Sequence, residues 1–161
     1  MQQCIVHFVA LLAILASAMA LPTNSANRES DQIEASIEVV KNVAVFQAGS
    51  PELRNQLPGE SKKVGQQLIY SLGQRVAGDR LVSTKADNKS WPSVQDVTLS
   101  LSYPQSGVGA VVTYVQVIVM QTTNLGKGYV VAGGIGQRFI HMVIEAYSTN
   151  FFNYSVQIYG I

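Results

Sequence analysis

The sequence predicts an all-β fold: an antiparallel β-sandwich or barrel of about seven strands, led by a signal peptide and a partly helical or irregular extension. Three observations predict it. Beyond Lys63 the apolar residues recur with a period of two. β-Branched residues crowd the stretch 110–121, which holds Val111, Val112, Val115, Val117, Ile118 and Val119. Clusters of Gly, Pro, Asn and Ser break the pattern at short intervals, as turns between short strands do.

The first twenty residues read as an export signal. Residues 5–16 are apolar except for His7, and the run then shrinks to Ser17-Ala18-Met19-Ala20. Ala18 and Ala20 fit a small-x-small cleavage site, with the cut after Ala20. The apolar run is roughly a dozen residues, short of the ~20 that a spanning helix needs. The expectation is therefore a secreted chain with no membrane span once the signal is removed. Cys4, the single cysteine, leaves with that segment, so no disulfide is expected. His141 is then the remaining histidine.

Residues 21–63 form a polar extension. Ile33, Ile37, Val40 and Ala44 recur at helical spacing with Glu34, Glu38 and Lys41 between them, which predicts a short amphipathic helix. A strand over 39–46 competes, because β-branched residues gather there. Proline and glycine at Pro51, Pro58 and Gly59 mark a loop. The β-rich domain is expected over 64–161.

Seven strands are expected within it, at 66–72, 79–84, 94–102, 110–121, 129–132, 139–147 and 154–159. The clearest is Val97-Thr98-Leu99-Ser100-Leu101-Ser102, with apolar residues on one face and hydroxyls on the other. Residues 103–107 and 124–128 are turns. Gly133-Gly134-Ile135-Gly136 is a bulge or tight bend. No charged residue stands between Asp96 and Lys127, which places 110–121 inside the sheet, away from a bare edge.

Several chemistries are disfavoured. A net charge of +1 supplies no basic surplus for nucleic acid. One histidine and no cysteine cannot build the usual zinc site, and no clustered acids suggest calcium. His141 and Glu145 share a strand face but lie two strand repeats apart, too far for a direct hydrogen bond within the strand. A carboxylate enzyme would rest on Asp79 and Glu145. The glycines at 133, 134 and 136 mimic the start of a dinucleotide loop, but Phe139 stands where its third glycine belongs. No catalytic, cofactor or metal residues are assigned. Two sequons, Asn88-Lys89-Ser90 and Asn153-Tyr154-Ser155, are candidate N-glycosylation sites, Asn88 in a polar loop and Asn153 beside a strand.

Several blocks taken together resemble the insect family called multiprotein bridging factor 2. They are Gly78-Asp79-Arg80-Leu81-Val82, Trp91, Thr113-Tyr114-Val115-Gln116-Val117, Gly126-Lys127-Gly128, Gly133-Gly134-Ile135-Gly136 and Val156-Gln157-Ile158-Tyr159-Gly160. The motif positions are Gly78, Asp79, Arg80, Trp91, Gly133, Gly134, Gly136, Tyr159 and Gly160, and the likeness runs over about 66–161. Many of its relatives look like small secreted, salivary-type peptides. The family name implies a transcription co-activator that joins a DNA-bound regulator to the general transcription machinery without touching DNA.

Two functional expectations follow. The first is a secreted, non-enzymatic protein that binds a protein partner or a small apolar ligand, with Phe151, Phe152 and Tyr154 as a contact patch or as caps on the core. The alternative is the nuclear co-activator that the family name implies. Lys62-Lys63 is far too short for a basic import tract.

Overall fold

The computed structural model describes residues 31–41, 62–64 and 67–161. The expected signal segment, with Ala18 and Ala20, lies outside the described residues. Among the described residues seven strands carry the fold: β1 (Glu34–Val40), β2 (Lys62–Val64), β3 (Gln67–Gly73), β4 (Arg80–Tyr103), β5 (Val112–Gln121), β6 (Gly126–Gly133) and β7 (Ile140–Gly160). All pairings are antiparallel, in the order β1-β4-β7-β5-β3-β2, with β6 added to β7. The sheet does not close, because β1 and β2 end the path without pairing to each other.

The all-β expectation holds, but its strands are differently divided. The strands expected at 79–84 and 94–102 are one 24-residue strand, β4, and those at 139–147 and 154–159 are one 21-residue strand, β7. The polar stretch around Asn88 reads as a loop in sequence, yet it continues β4 because β7 pairs through it, Asn88 opposite Asn153. Its residues are polar because they lie at an exposed edge, away from the core.

The helix expected from Ile33 onward is a strand. Ile33 and Ile37 are buried in the core, at a spacing of four that fits both a helix turn and two strand repeats. Pairing with β4 decides between them, Ile37 lying opposite Leu99 and Ala35 opposite Leu101. β1 also lies ahead of the expected domain start at 64, in the same sheet as the rest.

The β4–β7 ribbon bends at two irregularities. The register slips between Ser90 and Gln95, so residues 91–94 bulge from β4. Pro92 falls in that bulge, where a missing N–H costs no ladder bond. Tyr147 and Ser148 bulge from β7, with Ser148 at φ +50° and its N–H donating to Asp96 Oδ1 at 2.9 Å. The bend doubles the sheet over. Lys85 Nζ and Lys89 Nζ then reach the carbonyls of Ile33 (2.9 Å) and Ile37 (3.0 Å) on the open edge of β1. Charged side chains along that edge discourage further strand pairing.

The core fills the fold. Val97, Leu99 and Leu101 of β4 meet Ile140, Met142, Ile144 and Ala146 of β7 on one half, and Val115, Val117 and Val119 of β5 meet Phe152, Tyr154, Val156 and Ile158 on the other. Phe152 and Tyr154, two of the three aromatics considered for a contact patch, are core residues, while Phe151 is exposed. β5 lies between β7 and β3, as its uncharged sequence implied.

Leu99 and Ile144 are fully buried cross-strand partners. Each truncated to alanine is expected to cost about 2–5 kcal/mol in urea unfolding. The double variant should cost less than the sum, since neighbours share one cavity.

Tyr103 is 1% exposed, donates to Asp31 Oδ1 at 2.9 Å and accepts from the Ala110 N–H at 2.9 Å. Burial first, and Asp31 second, push its hydroxyl up to about 12. A raised folded value makes its contribution complete below the ordinary 10 and lost as pH climbs through 12. Thermal melting should therefore hold to about pH 10 and fall between about 10 and 12, with Tyr103→Phe flattening that decline.

Candidate functional site

The motif residues scattered along the sequence gather at one end of the sheet. Arg80 pairs with Gly160 and Leu81 with Tyr159, so the start of β4 meets the end of β7. The turn between β6 and β7 reaches the same place, where the Gly136 N–H donates to Val112 O at 2.8 Å. Gly133 has φ +70°, and a Cβ there would strike Phe139, so this corner requires glycine. The glycine cluster is the tight bend its sequence predicts, closed by Gly134 N–H to Phe139 O at 3.1 Å. Trp91 lies apart, half-buried against the core within the β4 bulge.

Asp79 anchors this end. Its carboxylate accepts from Arg75 in a forked pair at 2.7 and 2.9 Å, from the Val76 N–H at 3.0 Å and from Thr113 Oγ1 at 3.0 Å. The side chain is 2% exposed, against 50% for Arg75. Arg75 first, then the Val76 N–H and Thr113, outweigh desolvation and hold the carboxyl down at about 2. The Arg75 guanidinium also stacks 3.6 Å over the Tyr159 ring, which stands 6.0 Å from Tyr114.

Two hollows flank this anchor. One, of about 420 Å³, is lined by Gly73, Val76, Val111, Val112, Ile135, Gly136 and Ile161 together with Gln74 and Thr113. Gly73, at φ +74°, has no room for a Cβ against Ile135 and Thr113 O. The other, of about 300 Å³, is lined by Asp31, Arg80, Val108, Gly109, Ala110, Arg138 and Ile161.

On the face that turns away from the core, β3, β5, the second half of β7 and the first half of β4 contribute no charged side chain, and the Arg75 guanidinium lies over Tyr159 at its head. Tyr114 and Tyr159 head it, followed by Gln116 beside Gln157 and Ile118 beside Ser155, with Met120 beside Asn153 at its foot. Asn88 and Asn153, the two sequon asparagines, are exposed cross-strand partners on this face.

The other candidates lie apart. His141 is exposed on the outer side of β7, near Ser100 and Ser102. Glu145 is fully buried, and its carboxylate accepts from Tyr129 at 3.2 Å and from Tyr147. Burial and the nearby Glu145 raise the Tyr147 and Tyr70 hydroxyls well above their ordinary value. This buried polar cluster escaped the sequence reading, because Tyr129, Glu145 and Tyr147 come together only when β6 pairs with β7. Among the described residues, no three His, Cys, Asp or Glu side chains stand where they would hold a metal ion. No helix there is long and apolar enough to cross a membrane.

Residues 72–160 match the model of a family described as transcription activator MBF2. The chain belongs to this MBF2 family. The match spans Asp79, the glycine turn and Tyr159, the residues that converge at the end of the sheet. No curated protein and no solved structure matches the chain. Membership overturns the first expectation, of a secreted binding or structural protein, because the family is one of transcription activators, and it favours the co-activator alternative. The sequence pattern misled because a leader-like N-terminus and a thiol-free β core speak to export and stability but carry no information on partners.

The Asp79 carboxyl should titrate near pH 2 by NMR in the MBF2-family chain. The sign follows from its lowered value: the stabilisation is present above about pH 4, the unfolded value, and is lost as pH falls toward 2. Arg75→Gln should move the midpoint up toward about 4 while leaving the core intact.

Proposed function

We propose that the chain is a non-enzymatic transcription co-activator of the nucleus, bridging a DNA-bound regulator to the general transcription machinery through protein contacts, without contacting DNA itself. The family match over 72–160 carries this reading. Two features support it. The outward face of β3, β5 and the second half of β7 has no charged side chain of its own strands and carries Tyr114 and Tyr159 among amides, a composition that suits protein contact, since interface centres are depleted in charge and enriched in tyrosine. A net charge of +1 leaves little electrostatic attraction for DNA.

The test is a reporter assay in cells with a DNA-bound regulator, run with the full chain and with residues 21–161. Transcription should rise several-fold over the regulator alone, with the protein in the nuclear fraction and co-purifying with general transcription factors. It should not retard naked DNA in a gel. Unchanged transcription together with an absence of bound factors would refute the proposal.

A further inference from the structure

The apolar hollow at the motif end of the sheet has an occupant that its surroundings specify. Three of the chain's exposed large apolar residues line it together: Val76 (46% exposed), Ile135 (42%) and Ile161 (60%), with Val111 beside them. Single exposed apolar residues are ordinary, whereas several converging on one concave site mark a binding surface. The walls are also fixed. Gly73 and Ile135 are in close packing, Asp79 ties the 75–79 turn to Thr113, and Gly136 is hydrogen-bonded to Val112.

The charge around the hollow is mainly positive. Ile161 lines both this hollow and its neighbour, which contributes Arg80 and Arg138. Arg75, between Gln74 and Val76 in sequence, spends its charge on Asp79 and lies over Tyr159. All three arginines are exposed. The acids nearby are already engaged, Asp79 by Arg75 and Thr113 at 2% exposure, and Asp31 by the Tyr103 hydroxyl. A ligand therefore meets an apolar hollow whose neighbour, across Ile161, presents the guanidinium groups of Arg80 and Arg138.

We propose that this hollow seats large apolar side chains from a segment of a protein partner, and that carboxylates flanking those side chains in the segment pair with Arg80 and Arg138. The ligand is an acidic–hydrophobic peptide, a composition typical of disordered activation segments. Its volume of about 420 Å³ holds two or three aliphatic side chains and lies within the range of ligand sites. The source of the segment, a transcription regulator, rests on the bridging reading above; the hollow and its neighbour do not.

The full chain is titrated with a fluorescent twelve-residue peptide that interleaves leucine and phenylalanine with glutamate, and with the same peptide carrying glutamine for glutamate. The acidic peptide should bind more tightly by about fivefold, a preference that disappears at high salt, because exposed ion pairs are weak and screened. Ile135→Asp, which puts a carboxylate in the hollow, should weaken it at least tenfold. Should that variant misfold, Val76→Ser and the pair Arg80→Gln with Arg138→Gln replace it; the first should weaken both peptides and the second should abolish the preference for glutamate. Equal binding of both peptides, or binding indifferent to all these changes, would overturn the proposal. So would a response to a hydrophobic dye alone, which indicates a small apolar ligand, or a dimer that Ile135→Asp dissociates, which indicates a second copy. Peptide binding lost in the variants alongside a silent reporter would uphold the hollow and defeat the bridging reading. An active reporter indifferent to Ile135→Asp would do the reverse.

Discussion

The bend in the β4–β7 ribbon is the constraint on which the rest of the molecule depends. These two strands pair over nearly their whole length, and each is too long to remain flat and bury its apolar face. The slips at 91–94 and at Tyr147–Ser148 fold the ribbon, so that the inner faces of its halves share one core. β1 and β6 extend one half and β5 and β3 the other. The lysine contacts to β1 and the approach of Tyr70 to Gly126 both exist only because the ribbon is folded.

Much of this was legible in the sequence, for a physical reason. Alternation survives in residues that face a core on one side, so Val97–Ser102 and the valines of 110–121 announced their strands and their burial. The middle of β4 was not legible, because Asp87, Asn88, Lys89 and Ser90 are paired to β7 but exposed, and an exposed polar strand has the composition of a loop. β1 was misread because isoleucines four apart satisfy both periodicities, and only the partner strand separates them. At the motif end, the glycines and Asp79 stood out individually. Their convergence with Thr113 and Arg75 did not, since Asp79 and Thr113 stand 34 positions apart along the chain.

The motif residues that converge here are structural in their first duty. Asp79 ties a turn to β5, Gly133 admits Phe139, and Gly160 lies where a Cβ would strike Val111. Such residues hold backbone and concave surface in place for the side chains beside them. A surface already in shape favours recognition by contact, because ordering it on binding costs affinity.

β7 comes after every strand to which it pairs. Before it is synthesised, β1 with β4 and β2 with β3 and β5 are two separate patches of sheet, each with an apolar face uncovered and an edge awaiting the same strand. Nascent chains in that condition are prone to wrong pairing. The fold is thus completed only once β7 is available, because that one strand supplies the missing edge of both patches.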